Sequence, residues 1–206
     1  MFKKVFAQRS PARPKPQTVI VVSGLPRSGT SMMMKMLAEG GLEVLTDAIR
    51  SADEDNPNGY FELEVVKQLG EGQKDWLANA DHKLVKVISA LLEHLPPEHH
   101  YKVLFMERQI PEILASQRKM LARRNETSAI SDEEMEAQFR EHLKAIKYWL
   151  ARQPNMDVMY VDYNKMMADP DAYCPKIAAF LGLPLDVDKM RAVPNEKLYR
   201  NRAPGS

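Results

Sequence analysis

The residues best suited to chemistry stand together in Gly24-Leu25-Pro26-Arg27-Ser28-Gly29-Thr30-Ser31. Its two glycines allow backbone angles and close approaches that a Cβ would block. If a helix starts here, the amides from Ser28 to Ser31 converge on an anion, because the first N–H groups of a helix lack intrahelical partners and its dipole favours negative charge. Arg27 adds a planar cationic fork, and Ser28, Thr30 and Ser31 add hydroxyls. Phosphate binding is the chemistry this points to. The spacing GxxxxG is followed by Thr30-Ser31, so the Lys that neutralises the outer phosphates in a nucleoside triphosphatase loop is missing.

Such a loop needs a strand before it and a helix after it. Thr18 to Ser23 is a β-branched run of buried-strand type ended by Gly24, and Thr30 to Gly40 reads as an apolar, Met-rich helix. Its methionines are expected to pack the core. Gly41 to Thr46 reads as a second short strand, Asp47 to Tyr60 as a long polar loop, Phe61 to Leu69 as a helix, and Lys83 to Ile88 as a third strand. Tyr101 to Glu107 is the next strand, and Pro111 suits the first turn of the following helix. Ser131-Asp132-Glu133-Glu134 is a capping box opening a long helix, with Met135, Phe139, Leu143, Ile146 and Leu150 on one face. Met156 to Val161 is a final strand, and Asp162 to Leu181 is mostly helical up to Gly182. Alternating strands and helices predict an α/β fold in three layers, a P-loop fold with a parallel central sheet flanked by helices.

Composition narrows the function. The 29 Lys+Arg nearly cancel the 28 Asp+Glu, leaving a net charge of +1 and no reason to expect nucleic acid as a partner. No apolar run approaches the roughly 20 residues of a transmembrane helix. Cys174 is the only cysteine, which rules out an internal disulfide and Cys-based zinc spacing and fits a cytoplasmic location. Residues 1–17 are basic, Pro-rich and lack acids, so they read as a mobile arm. Residues 18–206 read as a single domain.

Several segments carry a family resemblance. One is Pro26-Arg27-Ser28-Gly29-Thr30. Another is Glu107 to Ser116, which puts Arg108 at a strand end and Ser116 eight residues later in the next helix. Further ones are Asn56-Pro57-Asn58-Gly59-Tyr60-Phe61-Glu62, Tyr160-Val161-Asp162-Tyr163, Asp169-Pro170 and Phe180-Leu181-Gly182-Leu183-Pro184. From about residue 18 to 202 the chain resembles the sulfotransferases that use 3′-phosphoadenosine-5′-phosphosulfate (PAPS), with a pattern nearest to the bacterial and carbohydrate-type members. Two departures stand out: Glu112 replaces the usual Asp, and Pro111 is shifted by one position.

The resemblance implies transfer of a sulfuryl group from PAPS to an acceptor hydroxyl or amine, leaving 3′,5′-adenosine bisphosphate, without a metal. The acceptor would be a small molecule, sugar or lipid. It assigns the 5′-phosphosulfate to Pro26, Arg27, Ser28, Gly29, Thr30 and Ser31, and the 3′-phosphate to Arg108 and Ser116. Arg200 and Arg202, in a late basic loop, would close over the 3′-phosphate; the competing reading is a basic tail. Transfer needs a cation on the leaving phosphate and a base for the acceptor proton. Arg27 and Lys86 are the candidate cations, with Lys86 otherwise a solvated strand-end lysine. Glu62 is the candidate base and Glu64 the second choice, Glu62 otherwise favouring a helix N-terminus. Ile88 stands where cytosolic members carry His, and His94, His99 and His100 read as exposed loop residues. Two other readings stay open. One is a P-loop nucleotide kinase or hydrolase with Asp162 near Mg²⁺, and the other a non-catalytic nucleotide-binding protein.

Overall fold

The computed structural model describes residues 15–47 and 59–194. Asn56, Pro57 and Asn58, Arg200 and Arg202, and most of the N-terminal arm lie outside the described residues. Strands β1 (Thr18–Gly24), β2 (Leu84–Lys86), β3 (His100–Glu107) and β4 (Met156–Asp162) form a parallel sheet in the order β2-β1-β3-β4. Helices α1 (Thr30–Glu39), α2 (Ile110–Arg123), α3 (Asp132–Leu150), α4 (Tyr163–Ala168), α5 (Pro170–Leu181) and α6 (Val187–Arg191) surround it, with 3-10 helices at Glu64–Glu71, Asp75–Asn79 and Ser89–His94.

β1 lies inside the sheet and is covered on both faces, which is why its sequence is apolar without alternation. Ile20 and Val22 face one core with Met33, Met34 and Met36 of α1, Met166 of α4 and Ile177 of α5. Val19 and Val21 face a second core with Tyr101, Val103 and Phe105 of β3 and Ile146 and Leu150 of α3. Val19 to Val22 are all fully buried, and burying each such side chain is worth about 2 kcal/mol. These two cores are the outer contacts of the expected three layers.

Local readings fail where a neighbouring constraint intervenes. Gly41 to Thr46 does not form a strand. Glu43 and Leu45 bond to Leu84 at 2.8 Å each, but only Val44 bridges, so the segment flanks β2 for a single step. Phe61 to Leu69 is not one helix: Phe61 takes a positive φ of 48°, Leu63 is extended, and the 3-10 helix begins at Glu64. Lys83 to Ile88 narrows to the three residues of β2. The 162–181 helix breaks at Asp169, with φ −142°, because a residue before proline is pushed out of the α region and Pro170 then starts α5. The capping box holds, Ser131 Oγ accepting the Glu134 N–H at 3.2 Å.

Register brings the carboxyl ends of all four strands to one side. Gly24 pairs with Met106, Val22 with Lys86, and Glu107 with Asp162. Ligands of open α/β sheets bind beyond this end.

Candidate functional site

The loop after β1 is built from backbone. Gly24 has φ 145°, and a Cβ there would lie 2.6 Å from Ser28 Oγ and 2.7 Å from the Met106 carbonyl oxygen. Gly29 has φ 100°, and its Cβ would lie 2.3 Å from the Tyr163 ring. Between them Arg27 adopts φ 69°, a left-handed conformation that costs a non-glycine residue about 1 kcal/mol. α3, α4, α5 and α6 each begin under a side-chain cap, from Ser131, Asp162, Asp169 and Asp186. α1 and α2, which carry the two motifs, have no side-chain cap.

Ser28 Oγ makes the fit to an anion more specific. It is buried, with 1% of the residue exposed, and has no hydrogen-bond partner among the described residues. A hydroxyl left this way costs roughly 1–3 kcal/mol. A loop with an orphaned buried donor, a glycine at the start of an uncapped helix and an arginine alongside is chemically suited to a phosphate or sulfate group.

Arg27 runs from this loop to the second motif, where its Nε donates to Ser116 Oγ at 2.9 Å. Arg108, the residue after β3, meets it, donating through Nη1 to the Arg27 carbonyl at 3.2 Å. The Arg108 Nε donates to Glu112 Oε2 at 2.8 Å, and both side chains are almost wholly buried. Asn164 Nδ2 donates to the other Glu112 oxygen at 2.9 Å. The guanidinium carbon of Arg108 sits 4.5 Å from the centre of the Tyr163 ring, a cation–π arrangement. Beside it, Glu107, Arg108, Gln109, Asp162, Asn164 and Lys165 line a cleft of about 370 Å³.

Lys86 is not a solvated strand-end lysine. Its side chain is 10% exposed, and its ammonium donates to Ser31 Oγ at 3.0 Å and to the Tyr60 carbonyl at 2.8 Å. Glu62 Oε1 lies 3.9 Å from it, and Glu62 Oε2 lies 3.4 Å from Lys67. Glu62 precedes the 3-10 helix, with its carbonyl accepting from Thr46 Oγ1 at 2.9 Å. Glu64 turns toward Lys67 and is half exposed, and its carboxylate, with a smaller contribution from Glu62, holds the Lys67 ammonium above the ordinary lysine range.

Other sequence candidates fall elsewhere. His100 opens β3 beside Thr18, at the opposite end of the sheet from the loop, and pairs with Asp157. His99 is buried rather than exposed, its Nδ1 accepting the Gln17 N–H at 3.2 Å, because the chain entering β1 packs over it. Asp162 caps α4 by accepting the Lys165 N–H at 3.0 Å. Sequence reasoning quoted Tyr163 only as the end of the Tyr160-Val161-Asp162-Tyr163 segment, without a role, and overlooked Asn164, which follows it. It also overlooked His142, which reaches from α3 to within 2.8 Å of the buried Ser89, three residues past Lys86.

A parallel α/β sheet with a glycine loop at one strand end, joined by Arg27 to Ser116 after the neighbouring strand end, defines a P-loop-type α/β fold. Residues 17–201 match the family model described as the sulfotransferase domain, and the chain belongs to that family. Its fold is shared with the mouse sulfotransferase SULT7A1, solved as a complex with PAP (TM-score 0.54, 16% identity, 94% of this chain and 68% of that one). The sulfotransferase domain of the Synechococcus PCC 7002 olefin synthase is also similar (TM-score 0.53, 14% identity, 96% and 87%). So is that of the curacin biosynthetic pathway (TM-score 0.50, 10% identity, 93% and 94%). No curated protein matches the sequence. The family decides between the readings the sequence left open: the protein is a sulfotransferase, an enzyme that uses a sulfonate donor and a small-molecule acceptor. No helix among the described residues is long and apolar enough to cross a membrane.

Proposed function

We propose that this sulfotransferase takes PAPS as donor and transfers its sulfuryl group to a hydroxyl or amine of a small molecule, sugar or lipid, releasing 3′,5′-adenosine bisphosphate. When bound, PAPS supplies an activated sulfuryl group on a phosphate leaving group. Pro26, Arg27, Ser28, Gly29, Thr30 and Ser31 hold the 5′ end, and Arg108 with Ser116 holds the 3′-phosphate. The observation that carries this is the 2.9 Å bond from Arg27 to Ser116, which joins the two motifs into one continuous site. Arg200 and Arg202, beyond the described residues, close over the 3′-phosphate.

Lys86 neutralises charge growing on the 5′-phosphate as its bond to sulfur breaks, a role supported by its 3.0 Å contact with Ser31 in the loop. Arg27, held by its bond to Ser116, assists as a second cation. Glu62 accepts the acceptor's proton, its carboxylate 3.9 Å from the Lys86 ammonium. Holding the base and cation in one ion pair places proton removal beside the leaving group. Residues 18–206 form the catalytic domain, preceded by the basic arm 1–17, whose last residue, Gln17, is bonded to His99 of the domain. The buried, unpaired Cys174, its thiol pushed up by burial, suits a cytoplasmic enzyme.

Transfer of ³⁵S from labelled PAPS across a panel of phenols, sugars, amines and lipids tests the reading. Label is expected on at least one acceptor class, and Glu62→Gln is expected to lower kcat about 100-fold while bisphosphate binding is kept. Equal turnover by wild type and Glu62→Gln would remove Glu62 from the role.

A further inference from the structure

Arg108 and Glu112 form a buried ion pair, the two side chains 8% and 0% exposed. Such pairs often cost in desolvation what they return in attraction, so their presence calls for a reason other than stability. A carboxylate beside a phosphate-binding arginine also carries the wrong charge for that site. The geometry supplies the reason. Both Glu112 oxygens are engaged, one by Arg108 Nε and one by Asn164 Nδ2. The guanidinium is fixed on two further sides, by the Tyr163 ring and by the Arg27 carbonyl. Tyr163 and Asn164 are the first two residues of α4, and the Tyr163 ring also fills the space that a side chain at Gly29 would need. α4 thereby sets the angle of Arg108 against the β1 loop.

We infer that Glu112, held by Asn164, is a positioning residue that determines recognition of the donor's 3′-phosphate. Resting on the donor assignment above, it acts through Arg108 and touches no reacting atom. Its charge opposes the anion, yet its geometry aligns a fork whose contacts with phosphate depend on direction. The two effects have opposite signs, so one substitution separates them. Glu112→Gln keeps shape and volume, removes the charge, and leaves one oxygen to accept from two donors.

Calorimetry with adenosine 5′-monophosphate and with 3′,5′-adenosine bisphosphate measures the contribution of the 3′-phosphate as a ratio of affinities. Wild type is expected to prefer the bisphosphate. In Glu112→Gln that preference is expected to shrink by about tenfold, the loss of roughly one charge-assisted contact, while monophosphate affinity stays within about threefold. Asn164→Ala, which leaves the Arg108–Glu112 pair in place, is expected to shrink it by a smaller factor in the same direction. In turnover assays both variants raise the donor KM and leave kcat at saturating donor unchanged. Monophosphate binding reports that each variant is folded, and Asn164→Ala carries the test if Glu112→Gln does not fold. A preference that is kept or increased in the folded variants overturns the positioning role and leaves the donor assignment standing. A wild type with no preference for the bisphosphate overturns both.

Discussion

The two halves of the proposed anion site are made from different materials. The β1 loop is backbone: two glycines at positive φ, an arginine forced into the left-handed region, and an uncapped helix start. The Arg108 half is side chain: a guanidinium aimed by a carboxylate, an amide and an aromatic ring drawn from α2 and α4. A backbone pocket is rigid and indifferent to most distant substitutions. A side-chain pocket is tuned by residues that never meet the ligand, and by the inference above it is the half where donor specificity is set.

The largest effect is expected from attacking the backbone half. Gly29→Val puts branched carbon into the Tyr163 ring and a β-branched residue at φ 100°. It is expected to abolish nucleotide binding and to destabilise the fold by about 3 kcal/mol, measured by calorimetry and denaturant melts. A Gly29→Val protein that binds normally would break the distinction between the halves. Next comes Lys86→Ala, expected to lower kcat about 100-fold with bisphosphate affinity changed less than about threefold. A matching loss of affinity would move Lys86 from catalysis to binding. The smallest effect is expected at Ser28. Because its hydroxyl has no partner among the described residues, Ser28→Ala is expected to leave stability within about 0.5 kcal/mol or raise it, while weakening the 5′-monophosphate about fivefold. A destabilised Ser28→Ala that binds as well as wild type would show that the hydroxyl serves the fold.

What could be read in advance follows the same division. Glycine spacing between a β-branched run and a helix encodes its own geometry, so the β1 loop and most strands were legible from local pattern. Arg108 at a strand end and Ser116 in the next helix could be placed from the sequence, but not the contacts to Arg27 that bring them together. The Arg27–Ser116 bond spans 89 positions, and Asn164 reaches Glu112 across 52. Contacts at that separation leave no periodicity to detect. Lys86 read equally well as a solvated strand end because its partners, Ser31 and the Tyr60 carbonyl, come from other elements. His99 was misread for the same reason, since its hydrogen-bond donor, the Gln17 N–H, lies 82 positions away. Residues 48–58 of the polar loop before Glu62, and the basic segment with Arg200 and Arg202 that the proposed function sets over the 3′-phosphate, lie outside the described residues.

A crystal structure of the protein with 3′,5′-adenosine bisphosphate tests the joined-site account most directly. The account predicts one nucleotide with its 5′-phosphate against the amides and hydroxyls of Ser28 to Ser31 and its 3′-phosphate on Arg108 and Ser116. A nucleotide bound with either phosphate away from its half, or seated in the cleft beside Lys165 alone, would contradict it.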